Sequence, residues 1–128
     1  MHVMANQATV NPTGGKVSWA ITVTHLKVGV YRALLYDTSN TILEKWEDQR
    51  TDDSLPDKFQ IQTAPNQLAG CVLYWEAEVS DPSDTGGPYV CTVSVEQDGS
   101  VLCQDAVSSS VKPGSGQRDP IGDQITFT

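Results

Sequence analysis

Residues 16–25 read KVSWAITVTH. In an extended chain Val17, Trp19, Ile21 and Val23 fall on one side, and Ser18, Ala20, Thr22 and Thr24 on the other, because successive side chains point to opposite faces of a strand. Such a segment buries one face and wets the other. The pattern recurs along the chain, and no stretch keeps the three- and four-residue apolar spacing of an amphipathic helix. Alternating strands without helices must bury their stripes sheet against sheet.

VYRALLYD at 30–37 sets Tyr31, Ala33 and Leu35 against Arg32, Leu34 and Tyr36. DTSN then turns the chain into TILEKW at 41–46. Phe59 and Ile61 share a face of KFQIQT, and Cys71, Leu73, Trp75, Ala77 and Val79 share one face of the next strand. Tyr89, Cys91, Val93 and Val95 form another stripe, Asp98-Gly99 is a two-residue hairpin signal, and VLCQDAV returns from it. QITFT at 124–128 reads as a last strand, with Ile125 and Phe127 inward. Eight or nine short strands separated by turn residues predict an all-β fold. The expected form is an antiparallel β-sandwich of immunoglobulin-like or jelly-roll type, with a closed barrel as the alternative. One domain covers residues 1–128. The polar stretches 47–57 and 81–88 are expected to be exposed loops, and the Gly/Ser/Pro-rich segment 108–120 is expected to be mobile.

Charge narrows the partners. The net charge is −8, and no Lys or Arg lies between Lys58 and Lys112. Nucleic acid is disfavoured, since its binding depends on neutralising phosphates with basic side chains. No apolar run approaches the ~20 residues of a membrane span. The N-terminus MHVMANQATV lacks the basic start and apolar core of a signal peptide, so the expected compartment is cytoplasmic, or reached by a leaderless route. Three cysteines, Cys71, Cys91 and Cys103, are expected to be reduced thiols. In the register set by Asp98-Gly99, Cys103 should pair with Ser94.

Glu76 and Glu78 are candidate catalysts. Two residues apart on a strand, they stand roughly 6.5–7 Å apart on one face, a separation compatible with the acid and base of a glycosidase. The inward stripe through Trp75 and Ala77 turns both toward solvent, so the wet side of a strand is the expected reading. Asp81 and Asp84 flank a Pro-Ser turn before Gly86-Gly87; oxygen-rich loops of this kind can hold calcium. Otherwise no cofactor is expected. Glu47, Asp48, Asp52 and Asp53 form a second acidic loop. A cysteine nucleophile needs a nearby histidine, and only His2 and His25 are available. Trp46, which ends a strand between charged neighbours, and Tyr74, on a polar face, could stack against sugar rings flanked by carboxylates.

The expected ligand site is therefore Trp46, Asp48, Tyr74, Asp81 and Asp84. The expected function is a non-enzymatic binding or interaction domain for a carbohydrate or protein partner. The alternative is a structural β protein that self-assembles as a homo-oligomer, such as a capsid, secretion-system or inclusion component. A small glycoside hydrolase using Glu76 and Glu78 comes third.

Overall fold

The computed structural model describes residues 6–128, the Asp48 side chain excepted; His2 lies outside the described residues. Nine strands are formed among them: β1 (Gln7–Ala8), β2 (Val17–Val23), β3 (Val28–Tyr36), β4 (Ile42–Asp52), β5 (Asp57–Gln60), β6 (Val72–Ser80), β7 (Gly87–Gln97), β8 (Ser100–Val111) and β9 (Arg118–Phe127). They make a five-stranded sheet in the order β1-β9-β6-β3-β4 and a four-stranded sheet in the order β5-β2-β7-β8. The sheets pack on each other as a sandwich. Every pairing is antiparallel except β1 with β9. The β7–β8 hairpin joins the four-stranded sheet, yet in sequence it separates β6 from β9, which are neighbours in the other sheet.

The stripes meet as the alternation predicts. Trp19 of β2 and Trp75 of β6, in opposite sheets, are both fully buried with Ile21, Leu35, Leu73, Val93 and Phe127 around them. The turns follow their residues. Asp98 and Gly99 take φ of 51° and 78°, both left-handed as a tight hairpin of matching twist requires. The Asp37 carboxylate accepts the Ser39 and Thr41 N–H groups at 2.8 and 2.9 Å, which closes the β3–β4 turn.

Three expectations need correction. The acidic stretch 47–57 is mostly strand: β4 runs on to Asp52 because β3 offers it a partner as far as Val28. Two of its residues stand opposite the single Arg32, and this bulge hides the alternation. Within 108–120, Ser108–Val111 complete β8 against Gly87–Val90, and Arg118 already begins β9. Only 112–117 connects the two strands. In the final hairpin a register shift after Glu96 makes Cys103 pair with Val95 rather than Ser94. Leu102 is the extra residue, and the shift turns Cys103 and Asp105 into the sandwich.

Cys71, Cys91 and Cys103 are buried and none is in a disulfide. Burial, with the Asp105 carboxylate second, pushes the Cys91 thiol up to about 12 and the Cys103 thiol up to about 11.

Candidate functional site

The outer face of the five-stranded sheet carries the carboxylates singled out in the sequence. Glu76 and Glu78 point away from the core, as the inward stripe of β6 demands. Arg32 is the cross-strand partner of Glu76 and pairs with it through Nε. The Tyr74 hydroxyl donates to the other Glu76 oxygen at 3.0 Å. That bond, more than burial, raises the Tyr74 phenol. Glu78 takes Arg118 Nη1 at 3.1 Å. The side chains of both glutamates and both arginines are more than a third exposed.

Beside this network the sheet is hollowed. A groove of about 460 Å³ runs between Val30, Glu47, Glu78 and Pro120. A second hollow of about 430 Å³ shares its Glu76, Pro120 and Ile121 wall and continues past Tyr74 to Gln124. Gly122 lines the second hollow. A Cβ there would lie 2.8 Å from the Trp75 carbonyl oxygen, so β9 approaches β6 this closely only without a side chain. The face thus offers an aromatic ring, a half-exposed Val30, and alternating hydrogen-bond donors and acceptors on a rigid sheet.

The five residues expected to form a site are not brought together. Tyr74 is on this outer face. Trp46 is on the other side of the same sheet. It pairs with buried Ala33, points inward, and meets Trp19 edge-on with ring centres 5.4 Å apart. With Tyr31 and Phe59 it closes the gap between the edge strands β4 and β5. The Asp48 side chain lies outside the described residues.

Asp81 and Asp84 belong to the β6–β7 loop at one end of the sandwich. The Asp81 carboxylate accepts four hydrogen bonds from its own loop, from Ser83 N and Oγ, Thr85 Oγ1 and Gly86 N, all at 2.8–3.0 Å. They hold its carboxyl well below the usual range, with the Ser83 bonds the largest cause. Buried Lys27 stands 3.9 Å away and ties the loop to the β2–β3 turn. Asp84 takes a left-handed φ of 59°, and its carbonyl accepts the Gly114 N–H at 2.9 Å. These groups shape the loop. Among the described residues no three His, Cys, Asp or Glu side chains gather where a metal ion could sit.

Sequence reasoning missed Arg32, Pro120 and Gly122, the groove residues on β3 and β9. Arg32 had a readable signal, an outward charged position in a strand otherwise apolar on both faces. Pro120 and Gly122 sat in a stretch taken for a mobile segment and its flank. Also missed were acids between the sheets. Asp105 is 4% exposed. Desolvation, then a hydrogen bond with the neighbouring Asp123, pushes its carboxyl up to about 6.

No helix among the described residues is long and apolar enough to cross a membrane. Compared with known proteins, the chain matches no family model, no curated sequence and no solved structure.

Proposed function

We propose that this chain is a non-enzymatic binding domain that takes its ligand across the outer face of its five-stranded sheet. The observation that carries the reading is the pair of adjoining hollows over β3, β6 and β9, with Arg32 and Glu76 on the wall of one and Tyr74, bonded to Glu76, on the wall of the other. A ligand of the oligosaccharide kind fits this chemistry: hydroxyls can donate to Glu76 and Glu78 and accept from Arg32, while the Tyr74 ring supplies apolar surface. The mixed charges of the wall favour neutral ligands over phosphates and sulfates.

Binding rather than hydrolysis is supported by the state of the carboxylates. A glycosidase needs one carboxyl desolvated enough to act as an acid near neutral pH. Here Glu76 and Glu78 both stand in water, each beside an arginine.

The test is a glycan array followed by NMR mapping of amide shifts. The reading expects shifts at residues 30–32, 74–78 and 120–124, and loss of binding in Arg32→Ala and Tyr74→Ala with the fold retained. A ligand that shifts only the loop ends would overturn the placement. Turnover of a glycan, lost in Glu76→Gln, would overturn the non-enzymatic reading.

A second reading, self-assembly through a sheet edge, is favoured by one specific strand.

A further inference from the structure

The two sheets present four edges, and they are not alike. A sheet edge exposes unpaired N–H and C=O groups and invites another strand, so proteins blunt it with charge, proline, bulges or shortness. The β4 edge carries Glu44, Lys45, Glu47, Arg50 and Asp52 and a bulge. The β5 edge has only four residues, with Asp57 and Lys58 among them. On the β9 side, β1 covers two residues, and the rest of that edge holds outward Arg118 and Pro120.

The fourth edge is β8. It is 12 residues long, SVLCQDAVSSSV, with no proline, lysine or arginine, and its one charged residue, Asp105, is turned inward and buried. Among the described residues no strand pairs with its outer side. From Gln104 onward its outward side chains are Gln104, Ala106, Ser108 and Ser110, all exposed, uncharged and small or polar. Its one bulge, at Leu102, lies near the hairpin end, and from Gln104 to Val111 nothing on its outward face repels a second strand.

We infer that β8 is a dimerisation edge, on which a second copy of this chain adds its own β8 antiparallel about a two-fold axis, fusing the four-stranded sheets into one of eight. The strand selects this occupant by its own sequence. With Ala106 facing Ala106 of the second copy, Gln104 faces Ser108, Cys103 faces Ser109, and Asp105 faces Val107. Past the Leu102 bulge, the same antiparallel direction brings Lys112 toward the β7–β8 turn of the other copy, where Asp98 stands. Lys112 is the first basic residue after Lys58, so the ends of the paired strands are complementary in charge. A parallel arrangement would instead place Lys112 against Lys112. A two-fold pairing also closes on itself, because each copy uses the one long bare edge among its described residues.

Sedimentation velocity on the full chain, from micromolar to submillimolar concentration, tests this. The expected species has twice the 13.8 kDa mass of the chain. Ala106→Lys sets two ammonium groups face to face at the axis. It should give the single-chain mass with an unchanged circular dichroism spectrum, since Ala106 is exposed and its side chain holds nothing in the fold. Ala106→Cys should form an intermolecular disulfide under mild oxidation. A wild-type chain that stays at single-chain mass throughout overturns the inference. So does a dimer that persists in Ala106→Lys, or growth into open-ended fibres, which would mean that the edges do not close in pairs. The glycan test addresses a face on the opposite sheet, so the two readings fail separately.

Discussion

Tyr89, in a central strand of the four-stranded sheet, reaches across the sandwich and donates its hydroxyl to Asp119 of β9 at 2.6 Å, while Ser109 donates to the same oxygen at 2.5 Å. On the opposite open side Tyr31 of β3 makes the matching bond to Asp57 of β5 at 2.7 Å. Each flank of the sandwich is thus latched by a buried tyrosine of one sheet and an acid on an outer strand of the other.

Removing an acceptor should cost more than removing the donor. Asp119→Ala leaves the buried Tyr89 hydroxyl without a partner, a loss of about 1–3 kcal/mol. Tyr89→Phe leaves Asp119 its Ser109 bond and should cost less. Urea denaturation of both variants measures the difference, and equal midpoints would show that the latch carries no load.

The same bonds fix the alkaline limit. Burial first, then the acid partner, raises the Tyr31 and Tyr89 phenols above their ordinary value of 10. The folded state holds protons that the unfolded chain gives up at that pH, so stability is complete below pH 10 and is lost as pH rises above it. Absorbance titration at 295 nm should show these two tyrosines ionising only together with unfolding. Ionisation of all four before the fold is lost would contradict this.

Asp105 acts at the acid side. Its folded value of about 6 lies above the ordinary 3.8, so between those values the folded chain keeps a proton that the unfolded chain releases. Its contribution is present below about pH 4 and is lost as pH rises through 6. Asp105→Asn should be more stable than wild type at pH 7, with the gap narrowing toward pH 4. Parallel urea midpoints across that range would refute the assignment.

Trp75→Ala and Trp19→Ala should each cost roughly 3–5 kcal/mol, the range for large buried side chains. Trp46→Ala, which opens an aromatic cluster at the sandwich flank, should cost less, on the order of 2 kcal/mol. Thermal melts rank the three. If Trp46→Ala removed ligand binding without lowering the melting temperature, its place in the cluster would be wrong.

How much was legible depended on what surrounded each residue. Trp19 and Trp75 were readable because their neighbours at two-residue spacing are apolar and lie in uninterrupted registers. Trp46 was not, because edge strand β4 carries charge at both parities and bulges just beyond it. Glu44 is one such charge: its carboxylate accepts the Gln62 and Thr63 N–H groups at 2.9 Å, a loop contact that no local pattern announces. Nothing local marks Asp105 or Asp119 as inward. The shift at Leu102 turned the first inward, and distant Tyr89 and Ser109 received the second. The groove escaped notice because it is made by four strands at once, and β9 begins inside a stretch whose Gly, Ser and Pro content suggests a loop.

The parallel pairing of β1 with β9 has a mechanical consequence. Thr126 N–H bonds to Asn6 O, Thr128 N–H to Ala8 O, and Val10 N–H to Thr128 O, at 3.0, 2.8 and 2.9 Å. Because the strands run the same way, tension applied through the two ends of the chain pulls them past each other along their length. The three bonds lie across that direction and must give together. A hairpin such as β7–β8, pulled at its open end, would surrender its bonds one after another.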